Sequence, residues 1–118
     1  MSSGARTPNR SETVERSYLY QDFMAAAVGV AVGAALMTVW HNYSISAVCI
    51  MGYRYEHFWS GMFLMVFSLP LILLKKFRVF GFMGYFLFFF GLSIFLDDAV
   101  WHYTNAGPND GFSIFAGC

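Results

Sequence analysis

Residues 79–102 read VFGFMGYFLFFFGLSIFLDDAVWH, and no charge interrupts the stretch from Val79 to Leu96. An uncharged apolar run of about 18 residues or more is long enough for a membrane-crossing helix. Lys75, Lys76 and Arg78 stand before the run, and Asp97 and Asp98 close it, although Ala-Val-Trp-His-Tyr can carry the helix a further turn. The same reading applied outward finds a second span from His57 to Leu74 and a first from about Tyr18 to Trp40. The break after the first span is His41-Asn42-Tyr43-Ser44. The apolar segment 45–52, ISAVCIMG, is too short to cross and is expected to form an interfacial turn or a short helix. Pro70 sits near the end of the second span, where a neighbouring helix must satisfy the carbonyl it frees. After the third span, Asn105-Ala-Gly-Pro-Asn-Asp-Gly111 is a cluster of turn formers, and the terminal FSIFAGC is expected to pack on protein or the membrane surface.

The expected fold class is therefore an all-α integral membrane protein with three transmembrane helices. Residues 1–16 form a flexible tail, 17–102 the three-helix domain and 103–118 a second tail. Orientation follows from the basic residues: Arg6, Arg10, Arg16, Lys75, Lys76 and Arg78 flank one side, and only Arg54 falls on the other. The positive-inside rule puts the N-terminus inside and the C-terminus outside.

Composition agrees. Of 118 residues, 58% are hydrophobic, 20% aromatic and only 12% charged, against about 25% charged in an ordinary soluble domain. A formal net charge of zero removes electrostatic capture of nucleic acid as a function. The two cysteines, Cys49 and Cys118, are too few for a disulfide framework; both fall on the expected outer side, where a single bridge is open to them, but nothing in their spacing demands it and unbridged buried or interfacial cysteines are the preferred reading. The N-terminal stretch has no early apolar core, unlike a cleavable signal, and Glu12, Glu15 and Asp22 argue against a transit peptide.

Helices in lipid associate by close packing of small residues. The first span supplies Gly29-Val-Ala-Val-Gly33 and a second row, Ala27, Ala31 and Ala35; the third supplies Gly84 and Gly91, seven apart. These grooves serve to seat the three spans together, or to pair identical chains through Gly29 and Gly33 in a homo-oligomer. Phe80, Phe82, Phe86, Phe88, Phe89, Phe90 and Phe95 surround the third span instead of forming one stripe. So much aromatic surface must face lipid or larger integral membrane subunits.

All three histidines, His41, His57 and His102, collect at the expected outer boundary together with Glu56, Asp97 and Asp98. Asp98 and His102 are four apart, which on a continuing helix places them on one face about a turn apart. With His57 and Glu56 they make an oxygen and nitrogen donor set suited to copper, zinc or iron more than to calcium or magnesium. Such a site would do redox or hydrolytic chemistry, with Glu56 as base or fourth ligand. The competing expectation is a hydrogen-bond and ion-pair network, since acids near a helix C-terminus oppose the macrodipole and want Arg54, a protonated histidine or a metal as partner. No phosphate loop, nucleophile elbow or Cys-x-x-Cys appears, and no charge lies at mid-bilayer depth, where an ion pathway would show itself. Asn42-Tyr-Ser44 matches a glycosylation acceptor but lies beside the membrane.

Asp98-x-x-x-His102 resembles the opening of the Asp-x3-His…His copper-site pattern in the membrane subunits of particulate methane and ammonia monooxygenases. The likeness covers these two residues and the overall build. No histidine follows His102, so a third ligand would have to be His57, His41 or a partner's residue. What the resemblance implies is a small multi-span accessory subunit of such a complex, archaeal ammonia-oxidising forms included, in a prokaryotic cell membrane, and not the copper-bearing catalytic subunit.

Overall fold

The computed structural model describes residues 4, 7–43, 49–51, 53, 54, 57–74 and 76–105. Among them are three helices, α1 (Arg10–Tyr43), α2 (His57–Leu73) and α3 (Arg78–Asn105). Between α1 and α2 two short strands, β1 (Cys49–Ile50) and β2 (Tyr53–Arg54), pair antiparallel with Cys49 opposite Arg54 and Ile50 opposite Tyr53. The whole is a rod with extents of 71 × 31 × 25 Å.

Several boundaries differ from the sequence expectation, each for a local reason. The first helix begins at Arg10, so residues 10–16 of the expected flexible tail are helical. The Asn9 carbonyl accepts from the Thr13 amide at 3.2 Å and from its hydroxyl at 3.3 Å, and Glu12 lies in the first turn. Asparagine before a helix and an acid in its first turn both favour initiation there. At the other end α1 runs through His41 and Asn42 to Tyr43, past the expected break. Of the segment expected as a turn or a short helix, residues 49 and 50 pair with 53 and 54 and Met51 is a turn residue, while residues 44–48 and 52 lie outside the described residues. Met51, with φ of 53°, takes the left-handed conformation common in tight turns between paired strands. The third helix continues without interruption through Asp97, Asp98 and His102 to Asn105, three residues beyond the expected domain boundary at 102. Residues 106–118, with Cys118, lie outside the described residues.

Two of the helices, α1 and α3, are long and apolar enough to cross a membrane. The 17 residues of α2 rise roughly 25 Å, somewhat less than the hydrocarbon thickness of about 30 Å.

In the bundle α3 is central, packing against α1 on one side and α2 on the other. It runs parallel to α1, since Asp22 approaches Arg78 at one end and His41 meets Asp97 at the other. It runs antiparallel to α2, since Gly61 lies against Gly91 and Gly84 against Ile72. Glycines govern both seams. A Cβ on Gly61 would stand 2.5 Å from the Gly91 carbonyl oxygen, and one on Gly91 would stand 2.7 Å from that of Gly61. On the other seam a Cβ on Gly29 would come within 2.5 Å of the Phe86 carbonyl oxygen, and one on Gly33 within 2.8 Å of Ser93 Cβ. Close approach of this kind maximises van der Waals contact, the main association force between apolar helices. Ala25, Gly29, Gly33 and Met37 form the buried ridge of α1 at every fourth residue. The second small-residue row does not join it: Ala27, Ala31 and Ala35 are all exposed, because the glycine row admits α3 more closely and only one stripe of α1 can meet a single neighbour.

Candidate functional site

The densest polar geometry lies at the end of the bundle where α1 and α3 finish and α2 begins, hereafter the histidine end. Asp97 and Asp98 are consecutive on the central helix and so project about 100° apart. Each therefore serves a different neighbour. Asp97 Oδ2 lies 2.8 Å from His41 Nε2 on α1, and the pair is partly exposed. Asp98 is buried, only 4% exposed, and its Oδ2 accepts the backbone N–H of Phe58 on α2 at 2.9 Å.

The second contact gives the buried carboxylate its partner. Asp98 stands seven residues before the end of α3, outside the last turn where the dipole would oppose it, and at the N-terminus of α2 it meets free amides and the positive end of a dipole. Asp98 thus acts as a capping group delivered from another helix. A buried charge is tolerated when it accepts such hydrogen bonds.

Aromatic rings surround this framework. The His41 ring stacks on Trp101, with centroids 6.1 Å apart and planes 18° from parallel. Trp40 meets His57 edge to face at 4.3 Å, tying α1 to α2, and Phe58 lies 4.4 Å from Phe95, tying α2 to α3. All three tryptophans, Trp40, Trp59 and Trp101, fall at this end. What the arrangement does chemically is hold three helix ends in register with a histidine–aspartate contact, a cap and stacked rings.

Of the residues expected to bind metal, Asp98 and His57 are described, and they are engaged with Phe58 and Trp40 respectively. The backbone of α3 places His102 one turn beyond Asp98; the His102 side chain and Glu56 lie outside the described residues. Among the described residues no group of three or more His, Cys, Asp or Glu is disposed to hold a metal ion. The helix-packing residues divide as the fold shows: Gly29 and Gly33 meet α3, Gly84 and Gly91 meet α2, and Ala27, Ala31 and Ala35 face outward.

Three features went unread in the sequence. Gly61, the glycine of α2, is the direct counterpart of Gly91. His41 finds Asp97, although both were assigned only to the shared boundary. At the opposite, basic end, Arg78 gathers three residues of α1: its guanidinium lies 3.7 Å over the Tyr18 ring, donates to Gln21 Oε1, and stands 3.8 Å from Asp22 Oδ1. Position along the chain offers Asp22 the lipid headgroups or Arg16; the parallel packing of α1 and α3 brings Arg78 to it. Comparison with known protein families, with characterised proteins and with solved structures finds no match to this chain, and the reading of the site rests on its geometry.

Proposed function

We propose that this chain is a small, non-catalytic integral membrane subunit, crossing three times with its N-terminus inside, that packs against larger membrane subunits of a multi-subunit complex. The observation that carries the reading is the thinness of the core against the breadth of the apolar exterior. Among the described residues only Ala25, Met37 and Ile94 are buried hydrophobics, while Leu19, Phe67 and Leu73 are 71%, 76% and 84% exposed. An exterior this apolar is stable against lipid or against other apolar helices and not against water. The exposed Ala27, Ala31 and Ala35 row adds a surface on which a partner helix can approach closely.

On this reading the histidine end fixes the relative heights of the three helices, and the outward faces of α1 and α3 supply the interface. The Asp98-x-x-x-His102 resemblance points to a copper-dependent ammonia or methane monooxygenase as the kind of complex, with this chain as an accessory component. Asp98 supports the accessory role, because its carboxylate is engaged at the α2 N-terminus.

Extraction in mild detergent followed by native electrophoresis and mass spectrometry of the band tests the proposal. Migration with larger integral membrane proteins is expected. Recovery as a monomer, or as an assembly of identical chains alone, overturns it.

A further inference from the structure

At the basic end a cleft of about 610 Å³ opens between α1 and α3, within the roughly 300–1,000 Å³ typical of small-molecule sites. Its body is apolar, walled by Phe23 and Ala26 of α1 and Tyr85 and Phe89 of α3, and its mouth carries Arg16 and Asp22. From Arg16 to Ala26 the helix rises about 15 Å, close to half the hydrocarbon thickness of about 30 Å. The cleft thus has the length of one leaflet, charged at the boundary and apolar toward the midplane.

The charges at the mouth narrow the occupant. Arg16 alone suits any phosphate. An adjoining hollow lined by Glu12, Glu15 and Arg16 adds two carboxylates to that of Asp22. With Asp22 held by Arg78, one guanidinium beside two glutamates is poorly matched to a lipid of net negative charge and well matched to a headgroup carrying both a phosphate and a cation. Asp22 is already spoken for by Arg78. Its Oδ1 is buried on the side of Arg78 and closed to a molecule in the cleft, which leaves Glu12 and Glu15 to meet a cation. An ammonium group offers three N–H donors, whereas a quaternary choline offers none.

The geometry points to a binding site for a zwitterionic aminophospholipid, with an acyl chain in the cleft, its phosphate on Arg16 and its ammonium on the carboxylate side of the mouth. The inference rests on the reading that α1 and α3 cross the bilayer, and the two can be separated experimentally.

The full-length protein is first floated with vesicles of phosphatidylcholine and phosphatidylethanolamine. It is then purified in detergent and titrated with dioleoyl phosphatidylethanolamine, phosphatidylcholine or phosphatidylglycerol, and bound lipid is counted by native mass spectrometry. One phosphatidylethanolamine per chain is expected, with the other two held at least tenfold more weakly. Arg16→Gln, at an exposed position, should weaken phosphatidylethanolamine at least tenfold. Ala26→Trp, which fills the cleft, should abolish its retention while the helical circular dichroism is unchanged. Equal retention of the three lipids overturns the site, as does undiminished retention by Arg16→Gln or by folded Ala26→Trp. Failure to float with vesicles overturns the membrane reading and the site together; flotation without selective retention overturns the site alone.

Discussion

At the scale of single residues, Asp97 and Asp98 show how neighbouring groups of one chemical type acquire different weights. Asp98 is buried and satisfies an amide that α2 cannot satisfy internally. Removing it leaves that amide unpaired in an apolar setting, which costs about 1–3 kcal/mol. Asp97 and His41 are more than a third exposed, and pairs of that kind are worth about 0.2–1 kcal/mol. Asp98→Ala should therefore lower the thermal unfolding temperature in detergent clearly, Asp98→Asn should lower it less because the amide oxygen still accepts, and Asp97→Ala should lower it least. A larger loss from Asp97→Ala than from Asp98→Ala would refute the capping role. Metal content offers a second check on the same carboxylate. If Asp98 serves α2 alone, elemental analysis of wild type and His102→Ala should show the same substoichiometric copper, zinc and iron; stoichiometric metal lost on His102→Ala would restore the metal site.

At the scale of elements, the decisive pattern is which small residues face inward. Gly61→Ala or Gly91→Ala would put a methyl group against a backbone carbonyl at 2.5 or 2.7 Å, and the helices would have to separate, with overpacking costs of typically 1–3 kcal/mol. Ala31→Leu adds bulk on an exposed stripe and should change the stability of the isolated chain by no more than about 0.5 kcal/mol. The same substitution should strip the chain from its larger partners on native gels. Stability loss without loss of association from Ala31→Leu would reverse the assignment of inner and outer faces. Much of this architecture is legible in the sequence, because length and polarity of apolar runs dictate helices in the bilayer regardless of partner. The three helices, the continuation of the third through AVWHY and the gathering of histidines at one end all follow from that. What escapes is azimuth. Gly29-x3-Gly33 and the Ala27, Ala31, Ala35 row look alike in one dimension, and only the approach of α3 selects between them. For the same reason Asp98 was matched to His102 on its own helix, when its nearest requirement came from the backbone of another. The pairing of 49 and 50 with 53 and 54 around the turn is also hidden, since Met51 is not a residue that announces a left-handed conformation.

At the scale of the whole molecule, α2 is the element on which topology turns. If it crosses, the connection after α1 and the end of α3 share one aqueous boundary, and the basic termini share the other. Its length falls short of a crossing unless its flanks are counted. His57 and Trp59 at one end and Lys76 beyond the other are amphipathic groups that reach from slightly buried backbone positions to the interface, and local thinning accommodates a short span at fractions of a kcal/mol per Å. Its antiparallel seam with α3, held by Gly61 against Gly91 and Gly84 against Ile72, places it at the same depth along the rod as the helix whose length spans without help. Single cysteines at Arg16, Asn42, Lys76 and Tyr103, in a chain whose Cys49 and Cys118 are replaced by serine, test this in intact cells. A membrane-impermeant maleimide should label positions 42 and 103 directly and positions 16 and 76 only after permeabilisation. Labelling of 76 together with 42 would mean that α2 does not cross. The shared boundary at the histidine end would then be lost, because Asp97 and Asp98 could not meet His41 and the α2 N-terminus from opposite sides of a bilayer.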